Sequence, residues 1–393
     1  MANDNKKDIP ALRFPEFQND GEWAFAHIGD LIKTISPPQK LPTSEYKLKG
    51  RFPIIDQSIK YVAGYSDEQT AVVHYNESNC IVFGDHTCTL KLIDFPFIQG
   101  ADGIKIFSSR HKCLLNEYLY QYILANPVLS KAYKRHFSDL KEKKLLYPTN
   151  IHEQRKIADC FLALDKYIDA TKRKLVQLKE HKKGLMQRLF PAKGKTLPEL
   201  RFPEFQNDGE WAYDYGDALF DSIVNKNHNS ELPILAITQE NGAVPRDMIN
   251  YRVVVEDKSI EGYKVVDIGD FIISLRTFQG GIEYSTYKGI CSPAYIVLRK
   301  KHNNICNDFY RHYFKSFQYI QDLNRNIEGI RDGKMVSYKQ FSEIKIPYPK
   351  YEEQSKVANC LTSLDKEINA IKDKIMALEL HKKGLMQQLF PKL

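Results

Sequence analysis

Along two stretches of the chain, apolar side chains return at steps that alternate between four and three residues. The first runs through Ile157, Phe161, Leu164 and Ile168, then Leu175, Leu178, Leu185 and Leu189. The second runs through Val357, Leu361, Leu364, Ile368, Ile371, Ile375, Leu378, Leu385 and Leu389. A 3.5-residue repeat sustained in this way marks a coiled-coil seam, because the apolar stripe of a globular helix is wider. Each stretch is expected to be one long helix of about 33 residues, roughly 50 Å at a rise of about 1.5 Å per residue, with the two packed against one another. Asn150 followed by Glu153 resembles a capping box at the start of the first helix, while Lys350 stands at the equivalent site of the second. Pro191 and Pro391 stop both helices in the same place.

Between these stretches the pattern shortens. "NCIVFGDHTCTLKLIDFPF" and "GIKIF" in the first half, and "DFIISLRT" and "PAYIVL" in the second, are β-like runs bounded by glycine and polar residues. Each set is followed by an amphipathic stretch, "NEYLYQYILANPVLSKAYKRHF" from Asn116 and "NDFYRHYFKSFQYIQDLNRNI" from Asn307. Strands followed by helices predict a small α+β unit, present twice.

The duplication is also literal. "LRFPEFQNDGEWA" begins at Leu12 and again at Leu200, and Ile151–Pro191 matches Tyr351–Pro391 at 23 of 41 positions. A separation this large lies outside the periods of solenoid repeats, so whole domains are duplicated. The boundaries read 1–150 for a first globular unit with a constant opening segment at 10–25, and 151–197 for a central helix. A second unit follows at 198–350, with its opening segment at 198–213, and a closing helix at 351–393. Two like seams pair most simply in antiparallel fashion, about a pseudo-twofold axis.

With 42% apolar and 12% aromatic residues, both units can build cores, and no apolar run is long enough to span a membrane. The N-terminus carries no secretory pattern, and seven cysteines without a CxxC pair suit a reduced, cytoplasmic setting. The net charge is +8, and residues 151–197 hold twelve Lys or Arg against five Asp or Glu. That balance fits phosphate neutralisation or a solvated coiled-coil face. Two unlike heads on a symmetric frame suit duplex DNA, whose backbone is locally twofold while its bases need not be.

The "RFPEF…W" openings paired with "EQ(x)KIA…LD(x)xI…HKKGLMQxLFP" closings, twice per chain, resemble the specificity subunit of type I restriction-modification systems over essentially the whole chain. The resemblance implies two target-recognition domains separated by a pair of long antiparallel coiled-coil helices that act as a ruler. It implies a non-catalytic chain that reads a bipartite, asymmetric DNA site. The implied partners are double-stranded DNA, two modification subunits that methylate adenine with S-adenosylmethionine, and restriction subunits that use ATP. With half-sites about one helical turn apart, near 34 Å or 10 bp, and about 3–4 bp read by each head, the unread gap is expected to be about 5–7 bp.

Bases are told apart by polar side chains on loops rather than by the core. In the first domain the candidates are Gln57, Ser58, Lys60, Gly64 and Tyr65, then His86, Thr87 and Lys91, with Tyr65 equally suited to plugging its own core. In the second they are Gln239, Arg276, Thr277, Gln279, Gly280, Tyr284 and Ser285, where the glycines serve either a groove approach or a tight hairpin. "GIRDGK" adds Arg331 and Lys334, and the first domain has no such motif.

Enzymatic signals are weak. "DFPF" at Asp94–Phe97 lacks the second proline of an amino-methyltransferase loop and reads as a strand-turn, and no glycine-rich cofactor loop follows a strand. Asp85, His86 and Cys88 are too closely spaced for zinc, and no GxxxxGK[ST] loop occurs. No metal or cofactor is expected on this chain. A coiled-coil protein scaffold without specific DNA binding is the other reading of the same architecture.

Overall fold

The protein is described by a computed structural model covering residues 10–75, 78–101, 103–129, 134–228, 231–249, 257–325 and 336–390. It divides into two compact units. One comprises residues 1–172 with 373–393, and the other residues 173–372. Each unit thus contains one globular head, half of one long helix and half of the other.

Both long helices are present, Ile151–Leu189 and Tyr351–Leu389, each of 39 residues and so about six longer than the heptads alone suggest. Every one of the seam positions is buried or half-buried. Within the first unit, Lys172 pairs with Glu379, Asp165 with Lys382, and Phe161 stacks on Phe390. Within the second, Lys174 pairs with Glu367 and Lys182 with Asp365. Partner numbers rise along one helix as they fall along the other, so the pairing is antiparallel in each unit. The apolar step also lengthens to seven: between Ile168 and Leu175 buried Thr171 fills the seam, and between Leu178 and Leu185 and between Leu378 and Leu385 a half-buried lysine fills it and meets an aspartate of the opposite helix. A polar pair at one seam position fixes register at a cost in stability.

The capping box does not form. The Asn150 side chain accepts the amide of His152, but the Glu153 carboxylate turns to Arg13, because a buried guanidinium offers it two charge-assisted bonds. Asn150 also donates to Asp20, and Lys350 pairs with the equivalent Asp208. Pro391 lies outside the described residues.

In the first unit an antiparallel sheet runs in the order Ile32–Ile35, Ile104–Ser109, Cys80–Gly84, Leu90–Ile93. The second unit repeats it as Phe220–Ile223, Ile296–Lys300, Phe271–Ile273, Glu283–Tyr284. Register aligns the two: Val82 stands between Ile106 and Lys91 as Ile272 stands between Val297 and Glu283. A smaller sheet beside each differs. In the first unit it has four strands with two parallel pairings, whereas in the second it consists of two separate ribbons.

The expected helices from Asn116 and Asn307 are shorter than their patterns. The first ends at Ala125, since Pro127 disfavours helical backbone at Asn126. The second breaks between Tyr313 and Phe317, where the Ser316 hydroxyl accepts the amide of Tyr319 and starts a new helix.

The repeated opening segments dock on the long helices. Arg13 makes two bonds of 2.7 Å to Glu153, and Arg201 makes the same fork to Glu353 at 2.7 and 2.8 Å. Trp23 and Trp211 enter the two cores. The glutamine after each glutamate is fully buried. Gln154 holds the Leu115 amide and the carbonyls of Cys113 and Pro148, and Gln354 holds the Cys306 amide and the carbonyls of Asn304 and Pro349. The repeated "EQ" therefore anchors each head to its helix.

One difference between the units is testable. Buried His312, with Nε2 3.0 Å from the Thr362 hydroxyl, occupies the place of Gln121, which reaches Asp165 in the other unit. Burial, then the nearby Lys182, pulls the His312 imidazole down to about 3, against an opposing pull from Asp365. Its folded value lies below the unfolded value near 6.5, so the unfolded chain takes up a proton that the native chain refuses. Stability is expected to fall with pH below about 6.5. His312→Gln is expected to remove roughly 2 kcal/mol of the loss between pH 7 and 5, read by urea unfolding at each pH.

Candidate nucleic-acid interface

In the first unit the connection between Cys80–Gly84 and Leu90–Ile93 forms a tip at residues 85–89, and the turn that follows strand Phe52–Ile55 lies against it. The hydroxyls of Thr87 and Thr89 donate to the Gln57 carbonyl at 2.9 and 3.0 Å. The Gln57 amide is seated on Gly103, where a Cβ would come within 2.9 Å of it and where φ is +97°. This brings Gln57, Ser58, Lys60, His86 and Thr87 into one neighbourhood, with His86 Nδ1 3.1 Å from the Lys134 carbonyl.

Three first-unit candidates stand elsewhere. Gly64 and Tyr65 lie in strand Gly64–Ser66, where Tyr65 is half-buried and exchanges backbone hydrogen bonds with Lys47. Lys91 is an interior residue, 5% exposed, whose ammonium donates to the carbonyls of Asp56 and Lys60 at 2.8 and 2.6 Å. Burial pulls that ammonium below the usual lysine range, against a smaller opposing effect of Asp56.

The second unit places the connection between Phe271–Ile273 and Glu283–Tyr284 in the same position on its sheet. Here it contains one helical turn, Thr277–Gly280, with exposed Arg276 preceding it and exposed Gln279 within it. Gln239, at the tip of hairpin Leu235–Thr238 with Gly242–Pro245, donates to the Arg276 carbonyl at 3.3 Å and lies against Gly280. Gln239, Arg276, Gln279 and Gly280 are thus together. Each unit, then, holds a glutamine from beside its smaller sheet at the connection that ends its larger one, through the Gln57 backbone carbonyl in the first and the Gln239 side-chain amide in the second.

Thr277, Tyr284 and Ser285 do not present themselves as loop side chains. The Thr277 hydroxyl accepts the Ser274 amide at 2.7 Å inside the fold. Tyr284 lies in a strand, packed on Phe271 and under the Arg311 guanidinium, and burial pushes its phenol up. Ser285 is buried and donates to the Tyr287 carbonyl. The cause is the turn at Gly281, φ +80°, which closes against Phe314 and lets the strand begin at Glu283. Arg331 and Lys334 lie outside the described residues.

Sequence reasoning missed the Leu235–Pro245 hairpin, although Asn-Gly is a strong hairpin signal; the loop is the three residues 239–241, closed by Gly242, φ +72°, opposite Thr238. It also missed that the register-equivalent positions Lys91 and Glu283 both carry buried charge. Glu283 pairs with Lys315, and burial pushes its carboxyl up against the opposing pull of that lysine. Among the described residues no helix is long and apolar enough to cross a membrane.

Comparison with known proteins bears on what these tips do. A family model described as the type I restriction modification DNA specificity domain matches residues 20–180 and 214–380, one match on each repeat. The putative type I restriction enzyme MjaX specificity subunit of Methanocaldococcus jannaschii is 25% identical over 284 residues, covering 69% of this chain but only 63% of that protein. The EcoR124I/EcoR124II specificity subunit of Escherichia coli is 21% identical over 372 residues, covering 89% of this chain and 88% of that one. The crystal structure of a type I restriction-modification system S subunit from M. genitalium shares the fold, with a TM-score of 0.66 at 17% identity over 98% of this chain and all of that one. With both repeats matched, this chain belongs to the type I restriction-modification DNA specificity domain family.

Proposed function

We propose that this chain is the non-catalytic, sequence-reading subunit of a type I restriction-modification complex. Each head reads one half of a bipartite, asymmetric duplex site, with an unread gap of about 5–7 bp. It directs cytoplasmic modification subunits, which carry S-adenosylmethionine, and ATP-dependent restriction subunits to that site. The observation that supports this best is the pairing of like scaffolds with unlike tips. The two main sheets agree in order and register, while one tip offers His86 and Thr87 and the other Gln239, Arg276 and Gln279. Amide and guanidinium side chains are those that form bidentate contacts with adenine and guanine in the major groove.

Binding to duplex DNA as a function of salt tests the proposal. A chain that contacts several phosphates loses affinity steeply between about 50 and 200 mM salt, whereas a protein scaffold shows no specific duplex binding to lose. Arg276→Ala is expected to cost about 1–3 kcal/mol on the cognate site and to relax preference at one position of one half-site, measured by competition with single-base variants. Equal weakening on all sequences would instead place Arg276 on the backbone.

A further inference from the structure

The turn at Asp56–Lys60 is fixed in an unusual way. Lys91, almost wholly buried, reaches from the neighbouring hairpin strand and holds the first and last carbonyls of the turn. The Ser58 amide is held by Asp56, and Tyr61, just beyond, donates to the Leu92 carbonyl. At the apex of this braced turn stands Ile59, 95% exposed, between Ser58 and the exposed Lys60. A single exposed aliphatic residue needs no explanation by itself. A buried ammonium does, because taking a charge out of water costs stability, and an apolar residue in its place is commonly neutral or stabilising. What Lys91 secures here is the shape of the turn that carries Ile59 beside Gln57 and Thr87.

Resting on the duplex-reading function above, we infer that Ile59 is a specificity-determining residue that packs on the C5-methyl group of one thymine in the first head's half-site, and that Lys91 is the positioning residue that presents it. Thymine is the one base with an apolar group at the major-groove edge, and aliphatic contact is how it is distinguished. One isolated side chain, followed by an exposed ammonium suited to phosphate, matches one methyl group, while the Ser58 hydroxyl before it is buried. The exposed Thr87 supplies a polar contact beside it.

The test uses the full chain assembled with its modification subunits and duplexes in which uracil replaces each thymine of the first half-site in turn. One replacement is expected to weaken wild-type binding about fourfold, the effect of burying one methyl-sized group. Ile59→Ala, which removes no packing from the fold, should bind that uracil duplex and its thymine parent equally. Lys91→Met should reduce the same uracil penalty while leaving discrimination at the second half-site intact. The inference is overturned if no uracil costs affinity in the wild type, or if Ile59→Ala keeps the full penalty. It is equally overturned if 2-aminopurine beside the site brightens on binding only when Ile59 is present, since that reports a wedge between bases. A Lys91→Met variant with an unchanged uracil profile overturns the positioning role. Failure of the wild type to prefer its own site over a scrambled duplex would instead remove the duplex-reading function itself.

Discussion

Replacing Arg201 with alanine is expected to destabilise the protein by about 3–5 kcal/mol, read as a lower urea midpoint in a full-length variant. The side chains of Arg201 and Glu353 are 9% and 2% exposed and meet through two parallel bonds. Removing the guanidinium strands a carboxylate that is almost wholly buried, without its partner. A third bond, from Arg201 to the Gly209 carbonyl, ties down the end of the opening segment. Arg13→Ala should behave alike, because Arg13 forms the same fork with Glu153 and reaches the carbonyls of Asp20 and Gly21. The double change Arg201→Met with Glu353→Leu should recover most of the loss, since a desolvated pair stabilises little beyond an apolar pair of similar volume. A loss below about 1 kcal/mol for Arg201→Ala would mean that the fork is a surface pair in solution.

Phe390→Ala should cost a similar amount, about 3–5 kcal/mol, because the ring sits in the first unit's core rather than at a frayed helix end. It stacks on Phe161 at 5.4 Å between centroids and meets the edges of Tyr118 and Tyr122, each at 5.7 Å. Phe190 has the same task in the second unit, against Phe309 and Tyr313. The closing "LF" of each long helix is thus a plug for a head. Phe390→Leu, which keeps most of the volume, should lose much less, and thermal melts of the two variants side by side separate cavity formation from general loosening.

The long helices were legible because a coiled-coil seam is a one-dimensional signal, carried by spacing alone. The strands around Ile81–Phe83 and Val297–Leu298 were legible for the same reason. What the repeats of "RFPEF" and "EQ" do was not legible, since Arg13 meets Glu153 across 140 positions and no local pattern encodes that contact. The tips divide in the same way. That Thr87, Arg276 and Gln279 lie exposed on the connections was legible because polar residues beside glycine mark loops. Lys91, Thr277 and Ser285 were expected on the same surface, yet whether a polar side chain faces out or braces the backbone depends on neighbours distant in sequence. Ile59 was passed over because an aliphatic residue ordinarily signals core.

Exchange of one head tests most directly the claim that two independent readers share one frame. The block Ala26–Asn150 is replaced by the corresponding block of another family member, and the methylated motif of cells carrying the chimaera is read genome-wide. The expected result is a motif with one half changed, the other half intact and the gap preserved at about 5–7 bp. A motif changed in both halves, or one left wholly unchanged by an active chimaera, would contradict it.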